Sequence, residues 1–166
     1  MMIMTKKFKI LTEFIKDMSS ETPDVETYLF VQDEISKYHL DIKINSKPLK
    51  NKVIEVNTCL SFKDNELHEK KSHFELIYTS IVEIDSSVKN KNDLERIVLC
   101  DVQNKIYSNL EKCFLNLLHN SGFSNIKLEK KIDFEKLYEN RASWNNFFLN
   151  YFSNTFRGDL VPHLRD

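Results

Sequence analysis

Tyr38-His39-Leu40-Asp41-Ile42-Lys43-Ile44-Asn45 alternates apolar and polar side chains without a break. A strand turns successive side chains to opposite faces, so a strict period of two marks a strand with one buried face. The pattern returns twice. Ile54, Val56, Thr58, Leu60 and Phe62 alternate with Glu55, Asn57, Cys59, Ser61 and Lys63. Phe74, Leu76, Tyr78, Val82 and Ile84 stand opposite Glu75, Thr79 and Glu83. Ser46 to Asn51, with Pro48, and Asp64 to Lys71 are short polar connections of the kind that join hairpins. These rows predict an antiparallel meander with one face covered and the other facing water or a partner.

Working outward, the period changes on the C-terminal side. Leu94, Val98, Val102, Ile106, Leu110, Cys113 or Phe114, and Leu117 recur every three or four residues, which describes one long helix. Asn92 with Glu95 has the spacing of a capping box at its start, and Gly122 supplies a left-handed stop. A second helix is expected after Asp133 as N-cap, with Phe134, Leu137, Tyr138 and Trp144 on one face. On the N-terminal side, Phe8 to Met18 is ambiguous. Phe8, Ile10, Thr12 and Phe14 suit a strand, whereas Phe8, Leu11, Ile15 and Met18 suit a helix, which periodicity slightly favours. Ser20 to Ser36, with Pro23, reads as a long polar connection in which Tyr28-Leu29-Phe30-Val31 is pinned to the surface.

Composition excludes several function classes. The 24 basic and 25 acidic residues leave a net charge of −1, so nothing draws the chain toward nucleic acid or an anionic membrane at long range. Two glycines, Gly122 and Gly158, cannot build a phosphate-cradling loop. Cys59, Cys100 and Cys113 lack metal-ligand spacing and are odd in number, so neither a metal site nor a disulfide framework is expected. Met1 to Leu11 has no apolar run of signal-peptide type, and no stretch reaches the ~20 apolar residues of a membrane span. A reducing cytoplasm is the expected location. His73 with Glu75, and His39 with Asp41, share strand faces as acid–base pairs do. No nucleophile accompanies them, so the reading is of a protein without catalysis or cofactor.

Several local segments carry a family resemblance. Lys16-Asp17-Met18-Ser19-Ser20-Glu21-Thr22-Pro23 resembles the "KD-x-S-x-E-x-P" segment of the SecB protein-export chaperones. Val53-Ile54-Glu55-Val56 is similar to the family's "VYEV", and Phe74-Glu75-Leu76 to its "F-x-x-E-V". Asn104, Ile106 and Tyr107 fall in the "CPNILFPYARE" helix segment. Ser121-Gly122-Phe123 with Ile126-Lys127-Leu128 is similar to "G-x-F-P-x-L-x-L", and Ile132 to Tyr138 to "V-N/D-F-x-x-L-F/Y". The likeness spans residues 10 to 141. Departures accompany it: the helix segment's two prolines are here Gln103 and Ser108, its cysteine is Val102, and the fourth strand reads Tyr78-Thr79-Ser80-Ile81-Val82. Without the prolines, the long helix is expected to run straighter.

The resemblance makes Phe8 to Met18 a strand. It implies an α+β fold: a four-stranded antiparallel sheet with two helices packed on one face. Residues 1–141 would form the chaperone domain and 142–166 an extension rich in aromatics, expected to dock on the groove or a neighbouring subunit. It further implies a homotetramer, arranged as a dimer of dimers, that holds unfolded preproteins and delivers them to SecA, the translocase ATPase. The preprotein groove would be lined by Tyr38, Leu40, Ile42 and Ile44 with Phe134, Leu137 and Tyr138. The SecA-binding acids would be Asp17, Glu21 and Glu75. A chaperone dedicated to one client, such as an antitoxin, and a non-chaperone scaffold binding a ligand or fixed partner are the alternatives.

Overall fold

A computed structural model describes residues 6–128 and 131–140. Its element order is β1 (Phe8–Glu21), α1 (Val25–Glu34), a 3₁₀ turn (Ile35–Lys37), β2 (His39–Pro48), β3 (Val53–Lys63), β4 (His73–Ile84), α2 (Lys91–Arg96), a π segment (Ile97–Asp101), α3 (Val102–Asn120) and α4 (Phe134–Glu139). The strands form one antiparallel sheet in the order β1-β4-β3-β2. The three alternating rows are strands and the fold is α+β, as the sequence predicts. Ile54, Val56, Leu60, Phe74, Leu76 and Val82 are buried against the helical layer, while their odd-numbered neighbours form the outer face.

Phe8 to Met18 is strand, and its mixed periodicity has a physical cause. Register shifts fall between Ile10 and Thr12 and between Ile15 and Asp17, so Leu11 and Lys16 are extra residues. Each inserted residue reverses which parity faces the helices. Residues opposite one another in an antiparallel pair share a face. Phe8 and Ile10 therefore share the helix side with Ile84 and Val82, then Glu13 and Ile15 with Ser80 and Tyr78, then Met18 and Ser20 with Leu76 and Phe74.

Three expectations are corrected here. Ser20 to Ser36 is not a surface-pinned connection: β1 continues through Glu21, and α1 follows. Asp24 caps α1 by accepting the Thr27 N–H at 2.7 Å, so Pro23 precedes the helix rather than excluding it. Thr27, Val31 and Ile35 are buried, and only the Val25–Leu29 side of the helix is open. The long helix begins two residues earlier than expected. Asn90, not Asn92, is its cap: the Asn90 side chain accepts the Asp93 N–H at 2.7 Å and donates to the Asp93 carboxylate at 2.9 Å. The hairpin turn is also later, since β2 runs through Pro48.

The helix over 91–120 is not a regular run either. At Ile97–Asp101 it widens into a π turn, with the Val102 N–H reaching back to the Ile97 carbonyl. Gln103, fully buried, stabilises this turn from its own side chain. Its amide donates to the Val98 carbonyl at 3.1 Å, and its oxygen accepts the Thr58 hydroxyl at 2.9 Å. The residue standing where the resembled family has proline thus joins the helix to β3.

The helix ends as the glycine predicts. Gly122 (φ 97°) lies in the left-handed region, with its N–H on the His119 carbonyl and the Phe123 N–H on the Leu118 carbonyl. A Cβ here would also meet the Tyr28 ring at 2.8 Å, and the Tyr28 hydroxyl donates to the Gly122 carbonyl. One glycine therefore both stops the helix and admits the ring that fixes α1. Phe62, Phe74, Phe114 and Phe123 fill the core at this end, with Tyr38 against Phe62. The expected second helix is present from Asp133, which accepts the Lys136 N–H, and spans Phe134–Glu139. Trp144 and the aromatic extension lie outside the described residues.

Candidate functional site

Strand pairing places Asp17, Glu21 and Glu75 on one face, the one turned away from the helices. Ser19, Glu75, Ser61 and Asp41 form a row across the four strands. Glu21, His73, Lys63 and His39 form the row on one side of it, and Asp17, Ile77, Cys59 and Lys43 the row on the other. Same-face rows are about 7 Å apart, so Asp17 and Glu75 are diagonal neighbours. This juxtaposition depends on the second bulge: without Lys16 as an extra residue, Asp17 would turn to the helix side.

The electrostatics of the face follow from its pairings. Lys63 meets Asp41 at 3.2 Å and Lys16 meets Glu55 at 2.6 Å, drawing two further acids into ion pairs. The Lys16 and Asn57 hydrogen bonds hold the Glu55 carboxyl below its ordinary range. Glu75 accepts the Ser61 hydroxyl at 3.2 Å. Cys59, half-buried beneath this cluster, has its thiol pushed up first by burial and then by the Glu75 carboxylate, with Asp17 adding to it. A raised thiol stays protonated at neutral pH and is a poor nucleophile. The His73–Glu75 and His39–Asp41 pairs lie on this face too.

The seven expected groove residues fall into two strips. Leu40, Ile42 and Ile44 sit on the helix side of β2, the edge strand, and Tyr38 immediately precedes it. The Tyr38 ring packs on Phe62 while its hydroxyl accepts the Ser72 N–H at 3.0 Å. Phe134, Leu137 and Tyr138 belong to α4, which is anchored on the first half of the long helix. Phe134 packs edge-on to Tyr107, Glu135 meets Arg96 at 3.1 Å, and Tyr138 donates to the Asn92 carbonyl beneath the Arg96 guanidinium. Tyr38, Ile44 and Phe134 are buried in the single chain; Leu40, Ile42, Leu137 and Tyr138 are half-buried.

The more open apolar surface lies elsewhere. Leu11, Phe14, Ile15 and Met18 on β1 are each roughly half exposed, and Val25 (73%) and Leu29 (57%) on α1 more so. β1 is an edge strand, so this apolar row borders unpaired backbone among the described residues. The sequence signal for it was available, because bulges along an edge strand leave apolar residues on both faces.

A family model described as "Preprotein translocase subunit SecB" matches residues 3–145. The chain belongs to the SecB family. A protein of Pelagibacter ubique assigned as a protein-export protein SecB is 60% identical over 140 residues, 84% of this chain and all of that relative. The protein-export protein SecB of Bartonella quintana is 24% identical over 136 residues, covering 82% of this chain and 84% of its own. Among solved structures, a SecB-like chaperone of Mycobacterium tuberculosis in complex with an antitoxin peptide superposes with a TM-score of 0.56. It covers 75% of this chain and 91% of its own at 7% identity, a likeness of fold. The chain is thus a member of a protein-export chaperone family. Among the described residues, no helix is long and apolar enough to cross a membrane.

Proposed function

We propose that this protein captures non-native preproteins in the cytoplasm and delivers them to SecA, with residues 1–141 forming the chaperone body. The observation that carries this reading is the division of the surface. Open apolar side chains lie along β1 and α1, half-buried Leu40 and Ile42 line the opposite sheet edge and Leu137 and Tyr138 lie on α4, while Asp17, Glu21 and Glu75 share the outer face. Apolar burial gives about 25 cal/mol per Å² whatever the client's sequence, so such a surface holds unfolded chains without a code. Exposed acids instead select a basic partner and speed its arrival. One molecule can then retain a client through its apolar side chains while SecA engages the acids of the outer face.

In an aggregation assay on a chemically unfolded model protein, stoichiometric amounts of this protein are expected to suppress light scattering. No suppression at an equal molar amount would sink the holdase reading. The arrangement of the mycobacterial chaperone, solved with an antitoxin peptide, supports a second reading in which one dedicated client replaces the general pool. Suppression confined to a single member of a client panel would favour it.

We further propose that the chain assembles as a homotetramer, a dimer of dimers, which covers part of the β1 and α1 apolar surface. Light scattering of the purified chain is expected to give four times the monomer mass. A monomer at micromolar concentration would exclude this assembly.

A further inference from the structure

We propose that the chain's own aromatic extension, Trp144 to Phe156, lies along the open apolar row of β1 and shields it until a client displaces it. The shielding half rests on the holdase reading above; the docking half does not. Leu11, Phe14, Ile15 and Met18 make the row. Pairing with Tyr78 and Leu76 turns Ile15 and Met18 to the helix side, yet they are 43% and 50% exposed. The helical layer therefore leaves this edge of the sheet uncovered. At the far end of the row the hydroxyls of Ser20 and Ser121, the residue that closes α3, lie 2.7 Å apart.

The described chain ends beside the other end of the row. In the last turn of α4 the Tyr138 hydroxyl donates to the Asn92 carbonyl at 3.3 Å. The next residue, Asp93, lies 3.9 Å from Lys7 Nζ, and Lys7 immediately precedes β1. Residues 141–166 thus leave the body where β1 begins. Extended, they reach about 85 Å, whereas Leu11 to Met18 spans about 23 Å, so reach does not limit docking.

The extension has the chemistry of an occupant for this row. Ala142 to Phe156 carries no charged residue, in a chain of which 30% is charged. Trp144, Phe147, Phe148, Tyr151 and Phe152 stand at i, i+3, i+4, i+7 and i+8, the spacing of a one-sided apolar stripe. The family model stops at residue 145, so most of this stripe is an addition to the shared chaperone domain. Tethering supplies an effective concentration in the millimolar range, enough for a weak contact to hold. An unfolded client, offering many apolar contacts at once, displaces such a contact. Val25 and Leu29 on α1 stay available to the assembly proposed above.

Trp144 is the single tryptophan of the chain, so its fluorescence reports on the extension alone. In the full-length protein its emission is expected to be blue-shifted from that of the urea-unfolded chain, and shielded from acrylamide. Ile15→Lys with Met18→Lys is expected to move it to the red, and Val25→Lys with Leu29→Lys to leave it in place. Far-UV circular dichroism establishes that these variants fold. Phe148→Asp with Phe152→Asp, outside the chaperone domain, is expected to release Trp144 and to tighten binding of a tryptophan-free unfolded protein at least about threefold, since the row is then free. Solvent-like emission in the wild type, or none of this red shift in the β1 variant, would overturn the docking. A blue shift lost on dilution from micromolar to nanomolar would overturn it too, placing the extension on a second copy. Unchanged client affinity in the Phe148 and Phe152 variant would overturn the shielding. Client binding by neither chain would instead sink the holdase reading, with the emission still deciding the docking.

Discussion

Asp17→Lys combined with Glu75→Lys is expected to weaken binding to SecA at least about tenfold while leaving client retention unchanged. The two positions are diagonal neighbours on the outer face, so the double change replaces two negative charges with two positive ones in one patch. Charges of this kind act mainly on the association rate, and their effect fades as salt screens it beyond about 10 Å. The wild-type affinity should therefore fall as sodium chloride rises, and that slope should flatten in the variant. Both residues lie away from the helical core, so stability should change little. Surface-plasmon binding to immobilised SecA, in parallel with the aggregation assay, separates the two functions. Unchanged SecA affinity would remove Asp17 and Glu75 from the docking surface.

The second large effect concerns the interior. Gln103→Leu is expected to lower the unfolding free energy by about 2–4 kcal/mol, since a buried hydroxyl is stranded and two hydrogen bonds are lost. Thr58 Oγ1 donates to Gln103 at full burial, and the Val98 carbonyl in the π turn accepts its amide. Thr58→Val alone should cost less, and the pair of changes together less than their sum, because removing both partners leaves no stranded hydroxyl on β3. Urea unfolding of the two single variants and the double variant measures this coupling. A Gln103→Leu chain within about 0.5 kcal/mol of wild type would mean that the side chain does not stabilise the π turn.

The meander was legible because its three strands keep strict parity from His39 to Ile84 apart from their turns, and every even position of β3 is buried. β1 was only half legible. Its two bulges splice three short strand patterns into a spacing of three and four, which is the spacing of a helix. The connecting helix was hidden for a different reason: only Thr27, Val31 and the adjoining Ile35 are buried, so its apolar stripe is too narrow to announce a period. The π turn left no mark, since a polar Gln103 in a buried position reads as a defect until its partners on β3 and the helix are known. Sharing of one face by Asp17, Glu21 and Glu75 needed both the family resemblance and the bulge at Lys16.

The sheet order has a consequence for how this chaperone is made. β2 pairs with β3 and β3 with β4, each the next strand in the chain, but Phe8 of β1 must wait for Ile84, the last residue of β4. During synthesis the meander can close as it emerges, while β1, bearing Leu11, Phe14, Ile15 and Met18, stays unpaired until all of it exists. For that interval the nascent chain is itself a segment of apolar strand without a partner. On the proposed holdase reading, the protein begins its own life as the kind of segment it would shelter in others.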